Sequence, residues 1–452
     1  MKFEKQKTID LLIKIFFFFS LIIFLYTIYR MSIYAANGIE LTIILKKYVK
    51  YLIISCALIS IFFIVSKLNY NLKTNIVLSF LSILITIYIL EIFLFLKYPN
   101  MDNKIIDKNN KSNELIKIKK FIDEDIYPFE LVQKKFNIGT KKIYPISHIS
   151  NTKIFLCNEV DTDIFYISDK YGFRNSNKDW NNQVIDYALI GDSFIHGACE
   201  KDENIISNLL KKKNKNVINL GSGGAGPLKE LAIFTEYLPK LRPKNIIWFY
   251  SEGTDLTKDL RGEKKNKNLT NYLDDNYTQN LTEYQSEISS HTKKYIKKKL
   301  STKLKQENKK KNGVNEKINV FLEKTKILRL WNLRSLISSF TNSGTIIDPL
   351  FFDIIEKVKK RAGEWNAKIY FVYMPEAKRY DNQLNRYLIK DKYRNKNMIL
   401  KKLDQMNVIT IDVDKDIFDK NENPLSYFNK KRVHYNKIGY ELIANYLIER
   451  IQ

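Results

Sequence analysis

Cysteine and histidine are scarce in this chain of 452 residues: Cys56, Cys157 and Cys199, and His148, His196, His291 and His434. No spacing among them matches a zinc or haem site, so the sequence offers no metal centre and no cofactor of that kind. A small disulfide scaffold is excluded by length alone. Acidic residues are in deficit too, with Asp+Glu 49 against Lys+Arg 75, a formal charge of +26. Such a charge suits nucleic acid or anionic lipid. The surplus is mostly lysine scattered among isoleucine and asparagine, with no recognition motif and no aromatic-interleaved arginine patch, so no nucleic-acid partner is expected. What folding needs is present: 45% hydrophobic and 13% aromatic residues, in a chain long enough for two or three folding units.

Three long apolar runs fill the first 98 residues. The first, 9–29, and the third, 76–97, reach about 30 Å as helices, and the second, 49–66, is marginal in length; together they predict three membrane helices and a lipid bilayer as partner. Lys14 and Glu91 lie near the ends of these runs, where long side chains reach the interface. Lysines flank the first run on both sides and nearly balance, so orientation rests on the odd number of spans. With the N-terminus inside, everything after Lys97 lies outside the cytoplasm, where Cys157 and Cys199 are able to form a disulfide.

Residues 99–180 read as a polar linker and lead-in. From 181 to 452, short β-branched and aromatic runs (VIDYALI, NVINL, NIIWFY, KIYFVYM, NVITIDV) alternate with helical patterns, which predicts an α/β domain with a parallel sheet covered on both faces. A lysine-rich stretch at about 261–343 interrupts this pattern and reads as an inserted helical segment. The closing helix is expected to pack Ile438, Leu442, Ile443 and Leu447 on the sheet.

Open parallel sheets bind ligands beyond the carboxyl ends of their strands. After YALI stand Gly191-Asp192-Ser193, where a serine opening a helix presents its hydroxyl at the sheet edge beside free N–H groups. After NVINL stands GSGGAGP (221–227), which contains a GxGxxG pattern and could serve either an oxyanion or a dinucleotide, with Glu252 as the acidic partner of the latter. After NIIWFY come Ser251-Glu252-Gly253-Thr254-Asp255. His434 precedes the last helix. His196 shares a helical face with Ser193, but a neighbour on the same helix has little freedom to meet that hydroxyl in line, so His434 is the better base.

Gly191-Asp192-Ser193, the Asn219/Gly221/Gly224 turn, the Glu252 to Asp255 turn and His434 resemble, in order and spacing, the four blocks of the SGNH (GDSL) hydrolase superfamily. GDSFIHGAC, NLGSGGAGPLKELA, WFYSEGTDL and HYNKIGYELIA are similar to those of bacterial membrane-anchored members. The resemblance implies a three-layer α/β/α, flavodoxin-like domain behind the transmembrane segment. It also implies Ser193 as nucleophile, His434 as base, and Ser193 N–H, Gly224 N–H and Thr254 at the oxyanion. The family's asparagine is Thr254 here, and its aspartate three residues before the histidine is Lys431. Asp192, Asp255 or Asp412 would then have to support His434, or the pair would work alone. The implied function is an esterase or O-acyltransferase acting on acyl esters, acetyl in particular, of an envelope glycan or a small ester, at a bacterial inner membrane with the domain outside. A catalytically weak or inactive binding protein and a dinucleotide-dependent oxidoreductase are the alternatives.

Overall fold

The computed structural model describes residues 2–36, 41–97, 108–159, 162–310, 327, 330–341, 347–380 and 395–451. The chain forms two compact units, one of residues Met1–Asn103 and Val320–Ser335 and one of Lys104–Asn319 and Leu336–Gln452. The start of the lead-in, 99–107, and residues 311–326 of the insertion lie outside the described residues.

In the first unit, helices Lys2–Ala36, Leu41–Val65 and Tyr70–Lys97 are each long and apolar enough to cross a membrane. They meet through Ile13, Val65 and Val77, and through the rings of Phe16, Phe62 and Phe80. Their outward residues, Phe18, Ile22, Ile53, Phe63, Ile85 and Ile89 among them, are exposed. An apolar face of that extent belongs in lipid. Ser20, Thr27 and Ser55 donate to backbone carbonyls of their own helices, so none leaves a polar group unsatisfied.

Glu91 departs from expectation. It does not reach for an interface but is fully buried, and accepts hydrogen bonds from Asn332 N (2.9 Å), Asn332 Nδ2 (3.0 Å) and Leu333 N (2.7 Å). Those amides open helix Trp331–Thr341, where a carboxylate satisfies N–H groups that lack an intrahelical acceptor.

The second unit is built on a five-stranded parallel sheet of β6 (Tyr187–Ile190), β7 (Val217–Asn219), β8 (Asn245–Ser251), β9 (Lys368–Met374) and β10 (Ile409–Asp412), in the order β10-β9-β8-β6-β7. On one face Ala188, Ile190, Ile246 and Trp248 pack on helices Pro227–Leu241 and Leu350–Gly363. On the other, Leu189, Ile247, Phe249 and Val372 pack on Ile206–Lys211 and Lys437–Arg450. The last helix inserts Tyr440, Ile443, Ala444 and Leu447, and leaves Ile438 exposed, because the buried stripe lies two positions further along its first turn. The chain goes from β6 to β7 on one side and then to β8 on the other, so the switch point that favours ligands lies at the carboxyl end of β6.

The lead-in is folded rather than a linker. Helix Lys108–Asp123 is followed by β1 (Tyr127–Pro128), the hairpin of β2 (Phe136–Ile138) and β3 (Lys141–Ile143), and the hairpin of β4 (Lys153–Cys157) and β5 (Ile164–Ile167), with β1 parallel to β4. The lysine-rich stretch forms helix Gln285–Lys310. Its Ile296 and Leu300 share a core with Leu115, Ile122, Tyr127, Ile154 and Tyr166, and Lys293 and Lys299 pair with Asp125 and Glu130, so one stripe of the helix is anchored while Lys294, Lys297 and Lys298 stay in solvent.

Candidate active site

Ser193 sits on the turn after β6. Asp192 caps the short helix Ser193–His196 by accepting from Phe194 N at 2.9 Å. Gly191 allows the turn: a Cβ there would lie 2.7 Å from Ile195 and 3.2 Å from Phe249. Ser193 Oγ is 2.9 Å from His434 Nε2, and His434 Nδ1 is 2.9 Å from Glu159 Oε2. Asn429 Nδ2 donates to the same Glu159 oxygen at 2.9 Å, and Asn429 N donates to His434 O at 2.9 Å. One asparagine thus spans the carboxylate and the backbone of the imidazole it serves. Burial works against the Glu159 charge, but the hydrogen bonds from His434 and Asn429 and the charges of His434 and Lys431 outweigh it, and its carboxyl is held below its usual range.

The cleft above Ser193 has a volume of about 480 Å³ and is lined by Phe129, Leu131, Ser193, His196, Gly224 and His434 among others. Gly224 has φ +70°, a left-handed conformation that favours glycine and lets the turn face the cleft. Asn219 ties that turn to the Ser193 helix. Its Nδ2 donates to Ile195 O (2.9 Å) and its Oδ1 accepts from Gly221 N (2.9 Å).

None of the other expected participants meets His434 Nδ1. Thr254 is not among the residues lining the cleft, and its side chain hydrogen-bonds to the neighbouring carboxyls of Asp192 and Asp259. Asp255 turns back onto its own strand, accepting from Ser251 N at 2.9 Å. Asp412 stands at the end of edge strand β10, three strands from β6, where it caps Lys415 N and pairs with Lys396. Asp192 caps its helix. In place of all three, Glu159 occupies His434 Nδ1, from a hairpin 275 residues away in sequence. No spacing rule reaches across that separation, and only the structure identifies Glu159 and Asn429.

His196 faces the cleft, but it is buried against Phe129 (4.6 Å) and Tyr166 (5.3 Å). Burial first, then the nearby Arg174 charge, hold it well below the usual imidazole range. The contact with Ser193 Oγ is made by His434.

The glycine-rich turn does not suit a pyrophosphate. Glu263 already occupies the start of helix Pro227–Leu241, accepting from Gly226 N at 2.8 Å and Leu228 N at 3.0 Å. A phosphate entering there would meet a carboxylate where it needs amides. Glu252 is buried and committed to Arg379 and Tyr373, which leaves it unable to bind a ribose. Donor atoms of Glu159, Cys199 and His434 lie within 4.8 Å of one another, the arrangement among the described residues nearest to a metal site. The Cys199 sulfur is bonded to Cys157 and is not a thiolate ligand in this state.

No protein-family model and no curated protein matches the chain. Among solved structures it is similar to a lipolytic protein of the G-D-S-L family from Desulfitobacterium hafniense DCB-2 (12% identity, 59% of this chain and 99% of that one, TM-score 0.31). It is also similar to a lipase/acylhydrolase from Enterococcus faecalis (13%, 60% and 98%, TM-score 0.30). A third is a two-domain esterase active on acetylated mannans (12%, 61% and 51%, TM-score 0.26). At these scores the likenesses assign no chemistry; the side chains must do so.

Proposed function

We propose that the chain is a membrane-anchored serine esterase or O-acyltransferase that acts on acyl esters, acetyl esters in particular, of an envelope glycan. The observation that carries this reading is the continuous chain from Glu159 through His434 to Ser193 Oγ, with both links at 2.9 Å, at the floor of a cleft. A carboxylate on Nδ1 fixes the tautomer that leaves Nε2 free to take the serine proton, and stabilises the imidazolium that forms. Ser193 Oγ attacks the ester carbonyl as His434 accepts its proton. The oxyanion meets the N–H groups of Ser193 and Gly224, and His434 returns the proton to the departing alcohol. Water or a sugar hydroxyl then resolves the acyl-serine by the same route in reverse.

The open cleft admits an ester on a larger body, and the apolar helices keep the enzyme at a membrane surface, which together favour an envelope substrate over a soluble metabolite. The test is release of acetate from an O-acetylated polysaccharide, or transfer of acetyl to one, by full-length protein in detergent. Ser193→Ala should reduce both to background with the fold unchanged. Equal turnover by that variant would reject the reading.

A further inference from the structure

Glu159 does not sit on a rigid element. It lies just past the end of β4, two residues beyond Cys157, where the hairpin borders the cleft that holds Ser193 and His434. A hairpin tip is an insecure support for a group that must hold an imidazole in one orientation. Lys117, from helix Lys108–Asp123, pairs with Asp163, and Asn158 Nδ2 donates to the same Asp163 carboxylate at 2.6 Å; three further attachments come from the segments that carry the other two members. Cys157, two residues before Glu159, is bonded to Cys199, six residues after Ser193. Asn429 bonds the carboxylate itself. Lys431 Nζ donates to Asn158 O at 3.1 Å.

The anchor on the Cys199 side is firm. Buried Arg174 donates to the carbonyls of His196 (3.2 Å), Gly197 (2.7 Å) and Glu200 (2.8 Å), fixing the loop around Cys199. Lys431, by contrast, is exposed, and hydrogen bonds from exposed lysines contribute little. The Lys117–Asp163 pair is partly exposed as well, and the disulfide is the one restraint on Glu159 that does not open and close with solvent.

We propose that the Cys157–Cys199 disulfide is a clasp that positions Glu159 on His434, with Lys431 as its minor partner, so that the esterase is switched by the redox state of this bond. The inference rests on the catalytic reading above. A dithiol reductant breaks the S–S bond, giving two protein thiols while the dithiol closes to its own disulfide. The tip is then free to leave, and His434 loses its carboxylate without any change at Ser193.

The test uses full-length protein in detergent, with p-nitrophenyl acetate as substrate, oxidised or treated with dithiothreitol, and thiols counted by alkylation and mass spectrometry. Reduction should lower kcat by about 10- to 100-fold with KM unchanged, since one misplaced catalytic group costs that order. Reoxidation should restore it. Cys157→Ser/Cys199→Ser should match the reduced enzyme. In a Glu159→Gln background reduction should have no further effect, because the clasp acts only through that carboxylate. Lys431→Met should cost about threefold, and Lys431→Arg, which can still donate to Asn158 O, should recover most of it. An unchanged kcat after complete reduction, or an equal loss in the Glu159→Gln background, overturns the proposal. A second readout needs no turnover: the downfield proton resonance of the His434 Nδ1–H···Glu159 bond should be present in oxidised protein and absent after reduction or in Glu159→Gln. If the enzyme hydrolyses no ester, the catalytic reading fails on its own, and persistence of that resonance after reduction decides separately against the clasp.

Discussion

In the proposed mechanism Ser193, His434 and Glu159 each have one duty. Glu159→Gln keeps the shape of the side chain but offers an amide where His434 needs an acceptor, so the wrong tautomer is favoured. The expected loss is about 10²- to 10⁴-fold in kcat for p-nitrophenyl acetate, with little change in KM. Lys431→Asp is more discriminating. From the sequence alone, an aspartate three residues before His434 looks like a repair. With Glu159 already on Nδ1, it would instead place a second carboxylate beside the first and remove the bond to Asn158 O. The rate should fall, and a rise would mean that Glu159 is dispensable. Ser193 and His434 were legible because each follows or precedes a buried element at the sheet edge. Glu159 was not, since its role depends on a hairpin folding over a site whose members are distant in the chain.

At the scale of elements, the sheet and its flanking helices were readable because burial on both faces demands unbroken apolar strands such as YALI and NIIWFYS. The fold of the lead-in is not legible in the sequence because its strands are short and its core is completed by Ile296 and Leu300 from the insertion. Neither part has a hydrophobic pattern sufficient by itself. The carboxyls buried near the start of the helix after the glycine turn show another consequence of packing. Burial, and then the nearby Glu263 charge, raise Asp259 from 3.8 to about 7. Asp192, Glu230 and Asp255 are also shifted upward, chiefly by burial. A carboxyl whose folded-state pKa is raised binds its proton more tightly when folded. Its stabilisation is complete below the ordinary value and is lost as pH rises through the raised one. The thermal midpoint of this unit should therefore decline from about pH 4 to pH 7. Asp259→Asn should flatten that decline, and an unaltered slope in this variant would show that Asp259 is ionised in the folded protein throughout.

At the scale of the whole molecule, three helices suited to crossing a membrane precede the unit that holds Ser193. The Cys157–Cys199 bond suits an oxidising compartment, which the three candidate spans among the described residues would give if the N-terminus is cytoplasmic. A reporter fused after Gln452 should be active if it requires export and silent if it requires the cytoplasm. The opposite pattern would place the site away from any envelope glycan and leave the disulfide without a setting.

The central claim, that His434 backed by Glu159 makes Ser193 a nucleophile, meets its most direct test in covalent labelling of full-length protein with a fluorophosphonate. Intact mass and peptide mapping should show one adduct per chain, on Ser193, formed far more slowly in His434→Ala and not at all in Ser193→Ala. Labelling of Ser193 at an equal rate in His434→Ala, or no labelling of Ser193 in the oxidised native protein, would contradict it.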